Sequence, residues 1–128
     1  MIRSLKRILL KLQSEDPSVR RLAAERLSEA DERAIYPLIQ ALKDRHPGVQ
    51  DAAMRSLVAI GGEVTAYMTL PLLREEPSVR NMAVVILGEL GVHAVPLVYP
   101  LLGDKNGVIR KFAVDLLRKI GSGVDPSR

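Results

Sequence analysis

The sequence predicts an all-α solenoid of about four stacked helical hairpins, with about eight helices. Three observations predict this fold. Like residues recur every thirty positions without a gap, as in the columns Val19, Val49, Val79, Ile109 and Leu27, Leu57, Leu87, Leu117. Each unit carries apolar stripes with helical spacing that follow a helix breaker. Aromatic residues make up only 3% of the chain and tryptophan is absent, so the core must be aliphatic, which favours closely packed helices.

Each unit contains one long helix, which follows a breaker at Pro17, Pro47, Pro77 or Gly107. Proline in the first helical turn costs no hydrogen bond, because the N–H at that position has no partner within the helix. The spacing predicts long helices over 17–30, 47–60, 77–90 and 107–120. Glycine suits the left-handed residue that ends many helices, and we expect such a residue at Gly61, Gly91 and Gly121.

Each unit also contains a second helix, which is shorter. The spacing predicts short helices over 2–13, 33–43, 63–74 and 93–103. A single hairpin of this size cannot bury its own apolar faces, whereas stacked hairpins build one continuous core. We therefore expect one domain over residues 1–121, with repeats at approximately 1–30, 31–60, 61–90 and 91–120, and a short flexible tail over 122–128. We call residues that lie thirty positions apart equivalent.

Composition excludes several classes of protein. The chain has no cysteine, which excludes disulfides, thiolate metal sites and cysteine nucleophiles. No apolar run reaches the roughly 18 residues that a membrane span needs, and the N-terminal stretch has interleaved charges, unlike a secretory signal. The formal net charge of +4 is mild and lacks the clustered basic field of a dedicated nucleic-acid binder. We therefore expect a cytoplasmic protein that does not enter a membrane.

The repeat unit resembles a known family. The stretches AIYPLIQALKD with HPGVQDAAMRSLVAIGG, and HAVPLVYPLLGD with GVIRKFAVDLLRKIG, resemble the short HEAT-like repeat of the phycobilisome-lyase type. The resemblance covers residues 1 to 121 and implies a right-handed superhelix whose short helices line the concave face. It also implies that the arginine after the repeated valine pairs with a loop aspartate. Arg110 with Asp104 fits this pattern, whereas Gln50 and Arg74 depart from it.

The sequence carries no pattern typical of catalysis. The chain has two histidines, His46 and His93, which occupy different positions in the repeat, and neither is followed by glutamate. The metal-binding His-Glu pairs of some HEAT-like hydroxylases are therefore missing. Bilin lyases share this repeat type, but no further motif points to their activity. We predict a non-enzymatic protein with no catalytic residue, no metal and no cofactor.

The exposed side of the short helices is the first candidate binding surface. All three tyrosines fall on short helices, and tyrosine is frequent in interfaces because it buries area while keeping a polar tip. The alternative is partial packing of these side chains against neighbouring repeats. The candidate partner-binding residues are Tyr36, Gln40, Lys43, Tyr67, Leu70 and Tyr99.

The first helix is the second candidate, because it carries several basic residues and no acidic one. It is either the polar end cap that keeps a solenoid soluble or a contact for phosphates or an acidic partner. Glu63 and His93 break the row of equivalent residues that begins with Arg3 and Arg33. The candidate phosphate contacts are Arg3, Arg7, Lys11 and Arg33.

The C-terminal end is the third candidate. No complete short helix follows the last long helix, so we expect its apolar stripe to lack a hairpin partner. The tail folds back over this stripe, the end pairs with another chain, or the chain is part of a longer solenoid. The candidate residues for self-association are Phe112, Leu116 and Ile120.

Three functions remain open at this point. The first is a protein–protein interaction scaffold that binds an unidentified protein on the concave face. The second is a nucleic-acid-binding module that uses the basic N-terminal helix. The third is a lyase or chaperone-like subunit that holds a small apolar ligand.

Overall fold

The structure is a computed structural model that describes residues 4–122. In this range it contains eight α-helices and no strand, which confirms the predicted all-α solenoid of stacked hairpins. The short helices are α1, α3, α5 and α7, and the long helices are α2, α4, α6 and α8. Their bounds are α1 Leu5–Lys11, α2 Pro17–Arg26, α3 Ile35–Ala41, α4 Pro47–Ile60, α5 Gly62–Thr69, α6 Pro77–Leu90, α7 Val95–Val98 and α8 Gly107–Ser122.

Two of the predicted short helices are split. The stretch predicted as a helix over 63–74 is α5 followed by the 3₁₀ segment Leu70–Arg74, and the stretch over 93–103 is α7 followed by the 3₁₀ segment Tyr99–Gly103. Pro71 and Pro100 are the second residues of these segments. Because proline has no N–H and its ring crowds the preceding turn, it interrupts α-helical hydrogen bonding at both places. Shorter 3₁₀ turns also occur at Leu27–Glu29, Glu32–Ala34 and Gly91–His93.

Local chemistry sets the ends of the long helices. Proline begins α2, α4 and α6, and the Asp16 carboxylate accepts a hydrogen bond of 2.8 Å from the Ser18 N–H as the cap of α2. The expected positive φ is confirmed at Gly61, with φ 62°, and at Gly91, with φ 58°. The expectation for Gly121 is wrong, because α8 continues through Gly121 to Ser122.

The long helices stack in chain order, so that α2 contacts α4, α4 contacts α6 and α6 contacts α8. Each short helix, with its 3₁₀ segment, packs against the long helix that follows it. The core lies between these two layers. It contains the alanines at one repeat position and the leucines at another, all fully or almost fully buried: Ala23, Ala53, Ala83, Ala113, Leu27, Leu57 and Leu87.

The structure corrects the expectation of an unpaired apolar stripe at the C-terminal end. Leu116 is 1% exposed and Ile120 is 7% exposed, because α8 packs against α6 and against the 3₁₀ segment Tyr99–Gly103. Phe112 is half-buried, and the Arg80 guanidinium lies 5.5 Å above its ring. The hairpin partner of α8 is therefore the short helix that precedes it, and these three side chains already pack within the chain.

The repeated arginine position binds main-chain carbonyls. The side chain at this position donates to a carbonyl in the loop that precedes its helix in all four repeats, at Arg20, Gln50, Arg80 and Arg110. Arg110 therefore bonds to the Asp104 carbonyl, whereas the Asp104 carboxylate pairs with Arg74. The pairing that the resemblance implies occurs instead between Arg20 and Asp44, at 2.8 Å. Gln50 keeps the carbonyl contact despite its departure from the pattern.

One ion pair joins each pair of neighbouring repeats along this loop edge. The pairs are Arg20 with Asp44 at 2.8 Å, Lys43 with Glu75 at 3.0 Å, and Arg74 with Asp104 at 2.5 Å. Within residues 4–122, no single helix is long and apolar enough to cross a membrane. The bent pair Pro77–His93 and Val95–Gly103 reaches that length and apolar composition only when its two parts are taken together.

Candidate functional site

A groove lies on the exposed face of the short helices, between α3 and the α5 unit with its 3₁₀ segment. Its volume is about 430 Å³. Five of the six residues that the sequence proposed for partner binding line it, and Ile39, Met68, Pro71, Leu72 and Glu75 complete the lining. The five are Tyr36, Gln40, Lys43, Tyr67 and Leu70. We call this surface the tyrosine groove.

The helices position the two tyrosines at the edge of the groove. Tyr36 follows the buried Ile35 in α3, and Tyr67 follows the buried Ala66 in α5. Because successive helical residues point about 100° apart, a residue beside a fully buried one can reach the surface. Both tyrosines are more than 60% exposed, whereas Ile39 and Leu72 are buried in the floor. The groove thus combines exposed aromatic edges with an apolar base.

The charges at the tyrosine groove are paired. Lys43 Nζ lies 3.0 Å from the Glu75 carboxylate, and this ion pair joins the two repeats that form the groove. Gln40 supplies an amide, which can donate and accept hydrogen bonds. The groove can therefore bury apolar side chains of a ligand without leaving one of its own charges unpaired.

A second, smaller cleft adjoins the first at Tyr67. It has a volume of about 310 Å³ and is lined by Glu63, Val64, Tyr67, His93, Pro96 and Leu97. Sequence reasoning did not propose Leu97 or Val64 for binding. The repeat contained a signal for Leu97, because it is equivalent to Tyr67. Tyr99 lines neither cleft; it is exposed at the start of the last 3₁₀ segment.

A broad polar depression of about 640 Å³ borders the tyrosine groove on the other side and shares Gln40 and Lys43 with it. Here Arg20 donates to the Asp44 carboxylate at 2.8 Å, and its second nitrogen lies 3.0 Å from His46 Nδ1. Burial by itself would raise the pKa of Asp44, but the hydrogen bonds from Arg20 and from the His46 N–H outweigh burial and hold that pKa below its usual value. In this depression the Arg20–Asp44 pair therefore joins two repeats.

Among the described residues, the proposed phosphate contacts do not form one site. Arg3 lies outside the described residues, and Arg7 and Lys11 are exposed on α1. Arg33 donates three hydrogen bonds of 2.9 to 3.2 Å to the Asp31 carboxylate. The side-chain hydrogen bond from Arg33 lowers the pKa of Asp31. A phosphate at Arg33 would have to compete with this carboxylate.

Titratable clusters give no further site among the described residues. In that part of the chain, no three His, Cys, Asp or Glu side chains are placed to hold a metal ion. His46 contacts Arg20 in the polar depression, and His93 lines the small cleft beside Glu63. The two histidines therefore lie in different surroundings, as their different repeat positions predict.

Comparison with known proteins identifies the family of the repeat. Residues 5–75 match the family described as HEAT repeats. No curated protein matches the chain. Among solved structures, the crystal structure of an engineered protein from a structural genomics consortium is similar, with 21% sequence identity and a TM-score of 0.47. That similarity covers 93% of this chain and 63% of the engineered one, so the chain spans somewhat less than two thirds of its length.

Proposed function

We propose that this chain, which belongs to the HEAT repeat family, is a non-enzymatic scaffold module that binds a protein partner in the tyrosine groove. HEAT repeats are generally protein-interaction scaffolds. The main observation in support is that Tyr36, Tyr67 and Leu70 line one groove whose floor is apolar. The family resemblance implies that this is the concave face. The absence of cysteine suits a reducing compartment, and we propose the cytoplasm.

The physical basis is a preformed surface. The groove is built on helices that pack against the core, so a partner does not have to order a flexible loop when it binds. Tyrosines at the edge of such a groove lose few rotamers and bury a large area, which makes them frequent hot spots of binding. The paired charges of Lys43 and Glu75 favour a partner segment with an apolar face over a strongly charged one.

The test is affinity capture from the source lysate with tagged protein, after nuclease treatment. The variant is the double substitution Tyr36→Ala with Tyr67→Ala. Tyr99→Ala is the matched control, because Tyr99 is as exposed as the other two and lies outside the groove. Circular dichroism establishes that all three proteins keep the same helical content.

A defined protein that binds the native chain and the Tyr99→Ala control, but not the double variant, would support the proposal. Removal of two interface tyrosines should weaken binding by about thirtyfold to a thousandfold, since hot-spot truncations cost roughly 2 to 4 kcal/mol. Equal capture by the double variant and the control would refute it.

The nucleic-acid alternative predicts a different result. Its supporting observation is the exposure of Arg7 and Lys11 on a helix without acidic residues. Binding of this kind would be lost after nuclease treatment, would fall steeply with salt, and would be insensitive to the tyrosines. A lyase or chaperone-like role, to which the phycobilisome-lyase resemblance points, predicts instead that a small apolar ligand raises the melting temperature.

A further inference from the structure

The last described repeat exposes positions that the interior repeats bury. Leu102 is 36% exposed, whereas its equivalents Leu12, Leu42 and Leu72 are at most 8% exposed. Tyr99 is exposed, whereas its equivalents Ile39 and Thr69 are buried. Both positions are most exposed in the repeat that no described repeat follows. The C-terminal end of the described solenoid therefore presents an open stacking face, which also includes the exposed Val114 of α8.

The opposite end shows the complementary pattern. Leu22 of α2 is 51% exposed, whereas its equivalent Ala52 is 3% exposed. Arg26 is exposed at a position whose equivalents Ser56, Ile86 and Leu116 are buried by the preceding repeat. Both ends thus carry exposed apolar side chains at positions that serve repeat-to-repeat packing inside the stack.

Three contacts between long helices define how one repeat sits on the next. Ser56 Oγ donates a hydrogen bond of 2.5 Å to the Ala24 carbonyl, from α4 to α2. The Arg80 guanidinium of α6 lies over the Phe112 ring of α8. Gly88 of α6 faces the side chain of Lys119 in α8, whose Cε would lie 3.1 Å from a Cβ at this glycine. These contacts use the same face of the earlier helix and the same face of the later helix at the α2–α4 and α6–α8 junctions.

The same register can be extended from the last repeat of one copy to the first repeat of a second copy, and it then pairs particular residues of the two ends. The equivalents of Arg80 and Phe112 are Arg110 at the C-terminal end and Leu22 at the N-terminal end. The equivalents of Gly88 and Lys119 are Arg118 and Glu29, which carry opposite charges. The equivalents of Ala24 and Ser56 are Val114 and Arg26, so a guanidinium would replace a hydroxyl as the donor to the carbonyl.

We propose that a second copy of this chain stacks its N-terminal end on the C-terminal end of the first, in the register of the interior repeats. The opposite arrangement, with two C-terminal ends face to face, would bring the basic residues Arg110 and Arg118 of one copy against the same basic face of the other. Like charges in a contact disfavour it. Head-to-tail stacking uses two different surfaces and leaves one of each free, so further copies can add at either end and the assemblies grow with concentration. This contact is separate from the tyrosine groove.

Sedimentation velocity of the full chain over a concentration series tests the proposal. The weight-average mass should rise past twice the monomer mass of 14.1 kDa. Leu22→Lys blocks one end and Val114→Lys blocks the other, and each should weaken association by about tenfold or more, because the junction would have to bury a lysine. Val85→Lys is the matched control, since Val85 is a similarly exposed valine in the middle of α6.

Mixing the two blocked variants gives the decisive result. The Leu22→Lys chain keeps an intact C-terminal end, and the Val114→Lys chain keeps an intact N-terminal end. At a concentration where each variant alone is monomeric, their mixture should therefore form dimers and nothing larger. A native chain that remains monomeric at millimolar concentration would overturn the proposal. Association of Leu22→Lys alone that is as strong as that of the native chain, or equal weakening by Val85→Lys, would also overturn it.

Discussion

Replacement of Leu87 by alanine should destabilise the protein far more than the same change at the equivalent Leu117. Leu87 is fully buried in α6, whereas Leu117 in α8 is only half-buried. The two changes remove the same atoms from the same repeat position. The comparison therefore measures what a following repeat contributes to the burial of that position.

The magnitude follows from the buried surface. Leucine to alanine removes about three carbons, worth roughly 0.8 kcal/mol each when fully buried. The cavity left at Leu87 adds to this, so the expected loss is about 3 to 4 kcal/mol, within the range for buried leucines. At Leu117, which is only partly exposed, somewhat less of the transfer free energy is at stake and solvent can fill the space, so we expect about 1.5 to 2 kcal/mol.

The assay is urea unfolding followed by circular dichroism, at low micromolar concentration so that association does not contribute. Such a loss is a large part of a stability of roughly 5 to 15 kcal/mol, so the midpoints should separate clearly. Unchanged m-values are needed for the comparison, since a change in m would indicate loss of two-state unfolding. Equal losses at the two positions would refute the reasoning, because Leu117 would then be as well covered as Leu87.

Three further predictions concern the ion pairs, the glycines and the buried hydroxyl. Stability should fall as the pH drops below about 4, because the pKa values of Asp44 and Asp104 are lower in the folded chain than in the unfolded chain. The two carboxylates therefore stabilise the fold fully at a pH above their unfolded pKa values. This stabilisation is lost as the pH falls through their folded pKa values. The Asp104→Asn variant should show a weaker pH dependence of its urea midpoint. Gly61→Ala should cost about 1 to 3 kcal/mol, because φ 62° and ψ −166° suit only glycine, whereas Gly121→Ala, which lies inside α8 with open space around it, should be neutral or stabilising in thermal melts. Ser56→Ala should lower the free energy of unfolding by about 1 kcal/mol, through loss of its hydrogen bond to the Ala24 carbonyl, and a melt identical to that of the native chain would contradict this.

Local chemistry made much of the fold predictable. The predicted bounds of 47–60 and 77–90 are those of α4 and α6, because a proline begins each helix and a glycine with positive φ follows it. These effects act within one helical turn, so they need no knowledge of distant contacts. The same rule failed at Gly121, because glycine permits a positive φ but does not require one. The split of the short helices was also within reach, since Pro71 and Pro100 mark it.

The binding surface was only partly predictable. Helical spacing indicated that Tyr36 and Tyr67 would lie on short helices, but not that they would border one groove while Tyr99 lies apart from it. That outcome depends on how far each short helix is rotated against the long helix of its unit, which is set by packing across both layers. The residues for self-association were misplaced for a related reason, because the direction in which α8 pairs is decided by α6 and by the preceding 3₁₀ segment.

The sequence by itself determined the period, the helices and the aliphatic core of this protein, because breakers and apolar stripes act on neighbours within a few residues. Only the tertiary structure decided which charges join the repeats and which apolar residues stay open at the two ends. The ion pairs join residues 24 to 32 positions apart in the chain. Their geometry exists only once the hairpins have stacked, and so it follows from the register of stacking and not from any single repeat.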